Sequence, residues 1–230
     1  EIIAETSPPA RPMVINTPNS NVTINILGAV IWNWPATALG SNNKNVAFAV
    51  NPGATFTLNS TNALGASAGS TVSLAVQAGG ILALAVPNAI NAAATIQAGG
   101  KLNANLAGGL AGSGVLTFAP GSILEIVTQP TGFSGSQAAA AMVSPGTIVR
   151  LNNMGNVGSA VDPLDAYLAS QSPTYEIYGG NSWLANPVAT NTTIMTLNRD
   201  ASGAGGMLVN DSASRTITAV PNGVIVIGPN

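Results

Sequence analysis

Histidine and cysteine are absent from this chain of 230 residues, and charged side chains make up only 6% of it. Without histidine there is no Ser-His-Asp triad, and without either residue there is no Cys-His nucleophile pair. Zinc sites lean on the same two residue types, so no metal or cofactor site is expected. The lack of cysteine excludes disulfides and fits either secretion or a reducing compartment. An average soluble protein is roughly 25% charged. Here six cations, Arg11, Lys44, Lys101, Arg150, Arg199 and Arg215, are scattered and form no patch. That argues against a nucleic-acid partner, whose phosphates need clustered positive charge. No run of 18 apolar residues is present, so no transmembrane segment is expected. The most apolar stretch, Val72–Ala94, is broken by Gln77, Gly79, Gly80, Pro87, Asn88 and Asn91. No basic-plus-apolar leader stands at Glu1, so an exported chain is expected here in its mature form.

What the chain does have is one short phrase, repeated. An apolar residue is followed three places later by glycine, and two apolar residues fall three and five places after that glycine. The copies are Val50–Leu58, Ala66–Leu74, Val76–Leu84, Ile96–Ala104, Phe118–Ile126 and Val143–Leu151, with a weaker one at Val220–Gly228. Glycine supplies the positive φ of a tight turn, and Pro52, Pro120 and Pro145 precede it with a pre-set φ. The apolar pair has period 2, which puts both side chains on one face of a strand. The phrase predicts that Phe56, Leu58, Val72, Leu74, Leu82, Leu84, Leu102, Leu124, Ile126, Val149 and Leu151 stack inward in rows.

The glycines Gly53, Gly79, Gly99, Gly121 and Gly146 are 26, 20, 22 and 25 residues apart, with Gly69 a second corner inside the first interval. One coil of a three-sided β-helix takes roughly 20 to 25 residues. The expected fold is therefore all-β: a single-stranded right-handed parallel β-helix. A β-sandwich is the alternative, because turn signals every ~8–12 residues also suit its hairpins.

By organisation, residues 1–21 read as an extended lead-in, with TSPPARP at Thr6–Pro12, and residues 22–230 as the β-helix domain. Val22–Leu27 alternates as a first strand. Trp32 and Trp34 fall on one side of a strand, either capping the core or forming an exposed stacking platform. The stretch Asn152–Ala219 lacks the phrase and is expected to leave the regular coils as an irregular excursion or cap. Within it, Asp162-Pro163-Leu164-Asp165 reads as the start of a short helix ending near Ser170, by capping and dipole. Tyr175–Tyr178, Thr192–Leu197, Thr216–Val220 and Gly223–Gly228 read as strands.

Asn62–Ala85 (NALGASAGSTVSLAVQAGGILALA) and Gly112–Ile126 (GSGVLTFAPGSILEI) resemble the repeats of bacterial autotransporter passenger domains. The resemblance covers about residues 45–151. It implies a right-handed parallel β-helix, extracellular or on the outer surface of a bacterium. It says little about activity, because such passengers include adhesins, proteases, esterases and passive scaffolds.

No catalytic constellation stands out, and the chain is not expected to be an enzyme. Asp162 and Asp165 are explained by a helix start. Glu125 and Arg150 hold equivalent places in the phrase, so stacked coils would make them neighbours in a salt bridge worth ~0–1 kcal/mol. Lys101, two residues after its glycine, is not required to stack with them. Thr-x-Thr occurs only at Thr55/Thr57 and Thr216/Thr218, too sparse for an ice-binding face.

The reading that emerges is a structural or adhesive cell-surface protein whose partner is itself, as a filament, sheath or lattice. Terminal strands without charge offer an edge for pairing, so Val14, Val224, Ile225, Val226 and Ile227 are the candidate assembly residues. The alternative is a carbohydrate-binding or carbohydrate-cleaving β-helix that meets a surface glycan on Tyr167, Tyr175, Tyr178 and Trp183.

Overall fold

The computed structural model describes residues 21–33, 45–61, 63–66, 70–86, 89–104, 115–126, 141–143, 146–152, 156–157, 174–178, 183–184, 194–197 and 224–227. Every element among them is a strand or a turn. In chain order the strands are β1 (Val22–Ile26), β2 (Ala29–Trp32), β3 (Asn45–Val50), β4 (Thr55–Leu58), β5 (Thr71–Val76) and β6 (Ile81–Leu84). Next come β7 (Ala93–Ile96), β8 (Lys101–Ala104), β9 (Leu116–Phe118), β10 (Ile123–Ile126), β11 (Ala141–Val143) and β12 (Ile148–Asn152). Last are β13 (Asn156–Val157), β14 (Thr174–Tyr178), β15 (Trp183–Leu184), β16 (Ile194–Leu197) and β17 (Val224–Ile227).

The chain alternates between two faces. Odd strands β1 to β11 form a six-stranded sheet in the order β1-β3-β5-β7-β9-β11. The other face is a nine-stranded sheet, β2-β4-β6-β8-β10-β12-β14-β16-β17, and β13 pairs with β15 apart from both. All pairings are parallel. From β3 to β16, β13 excepted, each strand stacks on the strand two elements earlier, and β17 stacks on β16. This is a parallel β-solenoid, and the sandwich alternative is set aside because its sheets would be antiparallel.

Alternation in the sequence becomes alternation in burial. In β3 the residues Val46, Phe48 and Val50 are buried while Asn45 is exposed and Ala47 and Ala49 are half-buried. The same holds for Phe56 and Leu58 in β4, Val72, Leu74 and Val76 in β5, and Leu82 and Leu84 in β6. In-register pairing then stacks like on like: Phe56, Leu82, Leu102, Leu124 and Val149 form one inward row. Nine of the eleven residues expected inside are buried, and the side chains of Ile126 and Leu151 lie outside the described residues.

The phrase glycines do what their positions require. Gly53, Gly79, Gly99, Gly121 and Gly146 all have φ between 75° and 85°. Four of the corners close with a bond from the fourth residue's N–H to the first residue's carbonyl: Ala54 to Asn51, Gly80 to Gln77, Gly100 to Gln97 and Ser122 to Ala119. Positive φ at the third position and proline or alanine at the second define a type II turn. The turns also stack. Each glycine N–H donates to the carbonyl of the next coil's glycine, from Gly53 to Gly79, Gly99, Gly121 and Gly146, at 2.8–3.0 Å. Gly69 and Gly223 lie outside the described residues.

A third side is described at residues 59–61, 63–66 and 89–92. Among the described residues it includes the parallel bridge Ala63↔Ile90. Small, buried Ala63 and Ala89 let the wall come close, and buried Leu64 takes the left-handed conformation at φ 61°. That conformation is disfavoured for a residue with a Cβ.

The stretch from Asn152 to Ala219 adds β14 and β16 to the long sheet in register, Ile148↔Thr174↔Ile194, and β17 follows as Ile194↔Val224. The strands read from the sequence at Tyr175–Tyr178, Thr192–Leu197 and Gly223–Gly228 are thus present. The helix read at Asp162–Ser170 and the strand at Thr216–Val220 lie outside the described residues, as does Trp34.

Candidate assembly surface and a charged row

One end of the stack is built from β1 and β2, the last strands of their sheets on that side among the described residues. The interior behind them is plugged by aromatic rings. Trp32 is buried and meets Phe48 and Phe56 edge-on, with centroids 5.5 and 6.1 Å away, while Phe48 and Phe56 stack at 5.7 Å. Edge-to-face and offset-stacked rings are the arrangements that the aromatic quadrupole favours. Trp32 therefore caps the core, which settles the first of its two readings.

Around that plug, large apolar side chains are exposed on the described residues. Leu27 is 74% exposed and Ile31 50% exposed, two of the three large hydrophobic residues that stand out on the described surface. Ile24 and Val30 occupy inward rows yet are only partly buried, where Phe48 and Phe56 one coil on are fully so. Neither VTINI nor AVIW contains a charged residue. Charge is one of the devices that protect a strand edge from pairing with a neighbour.

Amide ladders run along the rims of the same coils. Asn45 Nδ2 donates to Asn21 Oδ1 at 3.0 Å, and the Thr71 hydroxyl donates to Asn45 Oδ1. On the other rim Asn59 Nδ2 donates to Asn33 Oδ1 at 2.8 Å. Asn21 and Asn33 are the first rungs. Such ladders need hydrogen-bonding side chains at the same register in adjacent coils, so they reward in-register stacking.

Charge gathers elsewhere. The long sheet places Asn103, Glu125, Arg150 and Glu176 in one register row, and Lys101 Nζ reaches Glu125 Oε2 at 2.7 Å. Lys101 stands opposite Ile123, so its contact with Glu125 is a diagonal one. Long side chains span that distance. Glu125 is only 5% exposed, and its interactions extend beyond Lys101. The expected Glu125–Arg150 adjacency is present as a backbone register, and Lys101, which the phrase left out, joins the row. The Lys101–Glu125 contact joins two adjacent coils, and removing one partner would leave the buried Glu125 charge less well compensated.

The remaining candidate residues are placed as follows. Val224, Ile225, Val226 and Ile227 form β17, the other edge of the long sheet. Tyr175 stands opposite Val149 and Met195, Tyr178 opposite Asn152, and Trp183 opposite Asn156 in the separate pair. Val14 and Tyr167 lie outside the described residues. Among the described residues no three His, Cys, Asp or Glu come together to hold a metal, and no helix is long and apolar enough to cross a membrane. The outward residues that sequence reasoning missed, Asn21, Asn45 and Thr71, share one signal. Each directly precedes a strand's first valine.

Comparison with known protein families, curated proteins and solved structures gave no match to this chain.

Proposed function

We propose that this chain is a structural, self-associating protein of a bacterial surface, similar in kind to autotransporter passengers, with no catalytic role. The observation that carries the proposal is the end formed by β1 and β2. It combines two strand edges, exposed Leu27 and Ile31, half-buried Ile24 and Val30, and no charge. A charge-poor surface lowers the cost of removing water from such a contact.

The magnitudes fit an association that needs concentration. A joint the length of one four-residue strand makes a few backbone hydrogen bonds, each worth ~0.5–1.5 kcal/mol. Covering the exposed part of Leu27 and Ile31 adds about 1–2 kcal/mol apiece. Association costs ~4–15 kcal/mol in lost freedom. A single joint is therefore weak, and assembly belongs to crowded conditions such as a cell surface. Sedimentation over a wide range of protein concentrations, with electron microscopy of the densest sample, tests the proposal. Mass should rise with concentration and elongated particles should appear. A monomer at every concentration would overturn it.

A further inference from the structure

We infer that the partner of the β2 edge is the β17 strand of a second copy, added in parallel, so that one nine-stranded sheet runs on into the next. This rests on the self-association proposed above and gives it a polarity and a register: Ala29 opposite Val224, Val30 opposite Ile225, Ile31 opposite Val226 and Trp32 opposite Ile227.

Four observations lead there. First, among the described residues β2 and β17 are the two edges of the same sheet, and every pairing between them is parallel. Moving one copy along the stack therefore brings β17 onto β2 in the relation already present between β17 and β16. A head-to-head joint would require antiparallel pairing, which neither main sheet contains.

Second, the lengths agree. Both edges are four residues long, and β2 and β17 each pair with their inner neighbour over all four positions, with no overhang. Third, the rows agree in chemistry. The row that begins at Val30 runs through Phe56 and Leu82 to Val149, Tyr175 and Met195 and ends at Ile225, apolar throughout but for the tyrosine hydroxyl. The row that begins at Trp32 passes through Leu58 and Leu84 and ends at Ile227. The parallel joint prolongs both, whereas a slip of one residue would set outward positions against inward ones.

Fourth, neither AVIW nor VIVI carries charge, so nothing at the joint repels. A contact between different surfaces of identical copies does not close on itself by a two-fold axis, and a translation along the stack yields a filament.

Disulfide trapping tests the register directly, because the chain has no cysteine of its own. Facing residues of adjacent parallel strands lie about 4.8 Å apart, inside the ~4.4–6.8 Å that a disulfide spans. Within one copy β2 and β17 are eight strand spacings apart, roughly 38 Å, so no internal bridge can form. The double variant Ala29→Cys/Val224→Cys, oxidised at high concentration, should give a ladder of covalent multimers on a non-reducing gel. Ala29→Cys or Val224→Cys alone should give none. Ile31→Cys/Val224→Cys, whose sites would be ~7–8 Å apart, should cross-link at least about tenfold less than the matched pair. Circular dichroism of each variant must match the parent.

Three outcomes overturn the inference. One is a parent that gains mass with concentration while the matched pair fails to cross-link, which leaves self-association standing with a different joint. Another is covalent dimer from Ala29→Cys alone, which makes the joint head-to-head. The third is a parent that stays monomeric, which removes the underlying reading and this joint with it.

Discussion

Each coil turns twice, and the two turns are built on opposite terms. From the six-stranded to the nine-stranded sheet the connection is four residues long in five coils: 51–54, 77–80, 97–100, 119–122 and 144–147. On the way back it ranges from eight residues (85–92) to fourteen (127–140). The short corner is held by a type II turn and by glycine-to-glycine bonds between coils. The long one meets its neighbours, among the described residues, at the Ala63–Ile90 bridge and at the strand ends, where the Asn59 N–H donates to Trp32 O and the Ala85 N–H to Leu58 O. The difference shows that one fixed corner per coil suffices to set register. Once it is fixed, the length of the return path becomes nearly free, because loop entropy grows only with the logarithm of length.

The sharpest way to break that comparison is to lengthen each side in turn. One alanine inserted between Gln97 and Ala98 disrupts the turn that carries Gly99 and displaces every side chain after it by one position. It should cost more than ~4 kcal/mol, the range of exceptional damage, read as loss of a cooperative urea transition. Two residues, Gly-Ser, inserted between Pro87 and Asn88 should shift stability by less than ~1 kcal/mol. Equal losses on both sides would refute the division of labour.

Between the corners, the core carries the next largest effect. Phe56 is fully buried between Trp32 and Phe48, so Phe56→Ala should destabilise by ~3–5 kcal/mol. A denaturant midpoint unchanged by that substitution would mean that the aromatic plug is not what closes the stack.

Smaller steps sharpen the corner itself. A Cβ at Gly100 would lie 2.7 Å from the Val76 carbonyl oxygen, and one at Gly99 would meet Ala78 at 3.3 Å from a φ of +75°. Gly99→Ala should cost ~1–2 kcal/mol for the left-handed backbone. Gly100→Ala should cost ~1–3 kcal/mol for the forced backbone shift. The equivalent positions Ser122 and Thr147 do hold buried side chains, and the Ser122 hydroxyl donates to Ala119 O at 2.6 Å. Ser122→Gly should therefore cost less than either glycine substitution, as thermal melts would show.

The mildest effect lies far from both corners. Lys101→Met removes one partner of Glu125, whose other interactions remain. Because the lysine side chain is 23% exposed, the expected loss is ~1 kcal/mol, between the values for exposed and buried pairs. Restoring most of it with Lys101→Arg would confirm that charge rather than stem packing matters.

How much of this was legible in the sequence follows the same asymmetry. Gly53, Gly79, Gly99, Gly121 and Gly146 announced the fixed corner, because a type II turn needs a residue without Cβ at one fixed offset from the strand. The inward rows followed from that offset and from period 2. The candidate assembly edge at Val224–Ile227 was readable as an uncharged apolar run, and its place opposite β2 in the same sheet was not. Lys101 was passed over because only in-register neighbours were considered, whereas a four-carbon stem reaches a diagonal one. The Asn21–Asn45–Thr71 ladder eluded a reading tuned to apolar spacing. The Ala63–Ile90 bridge was hidden because the two residues come from return paths of different length, which share no common offset.

The glycine ladder has one more consequence, and it is mechanical. Its hydrogen bonds, like those between strands, point along the axis of the stack and not across it. Tension applied lengthwise loads them one coil after another, as a zipper is opened, instead of shearing all of them at once. A coil such as Gly79 to Gly99, 20 residues long, would pay out about 70 Å of extended chain when it peels away. A stack of such coils would yield in small, repeatable steps. Each step leaves the coils behind it intact and ready to close again when the load is released.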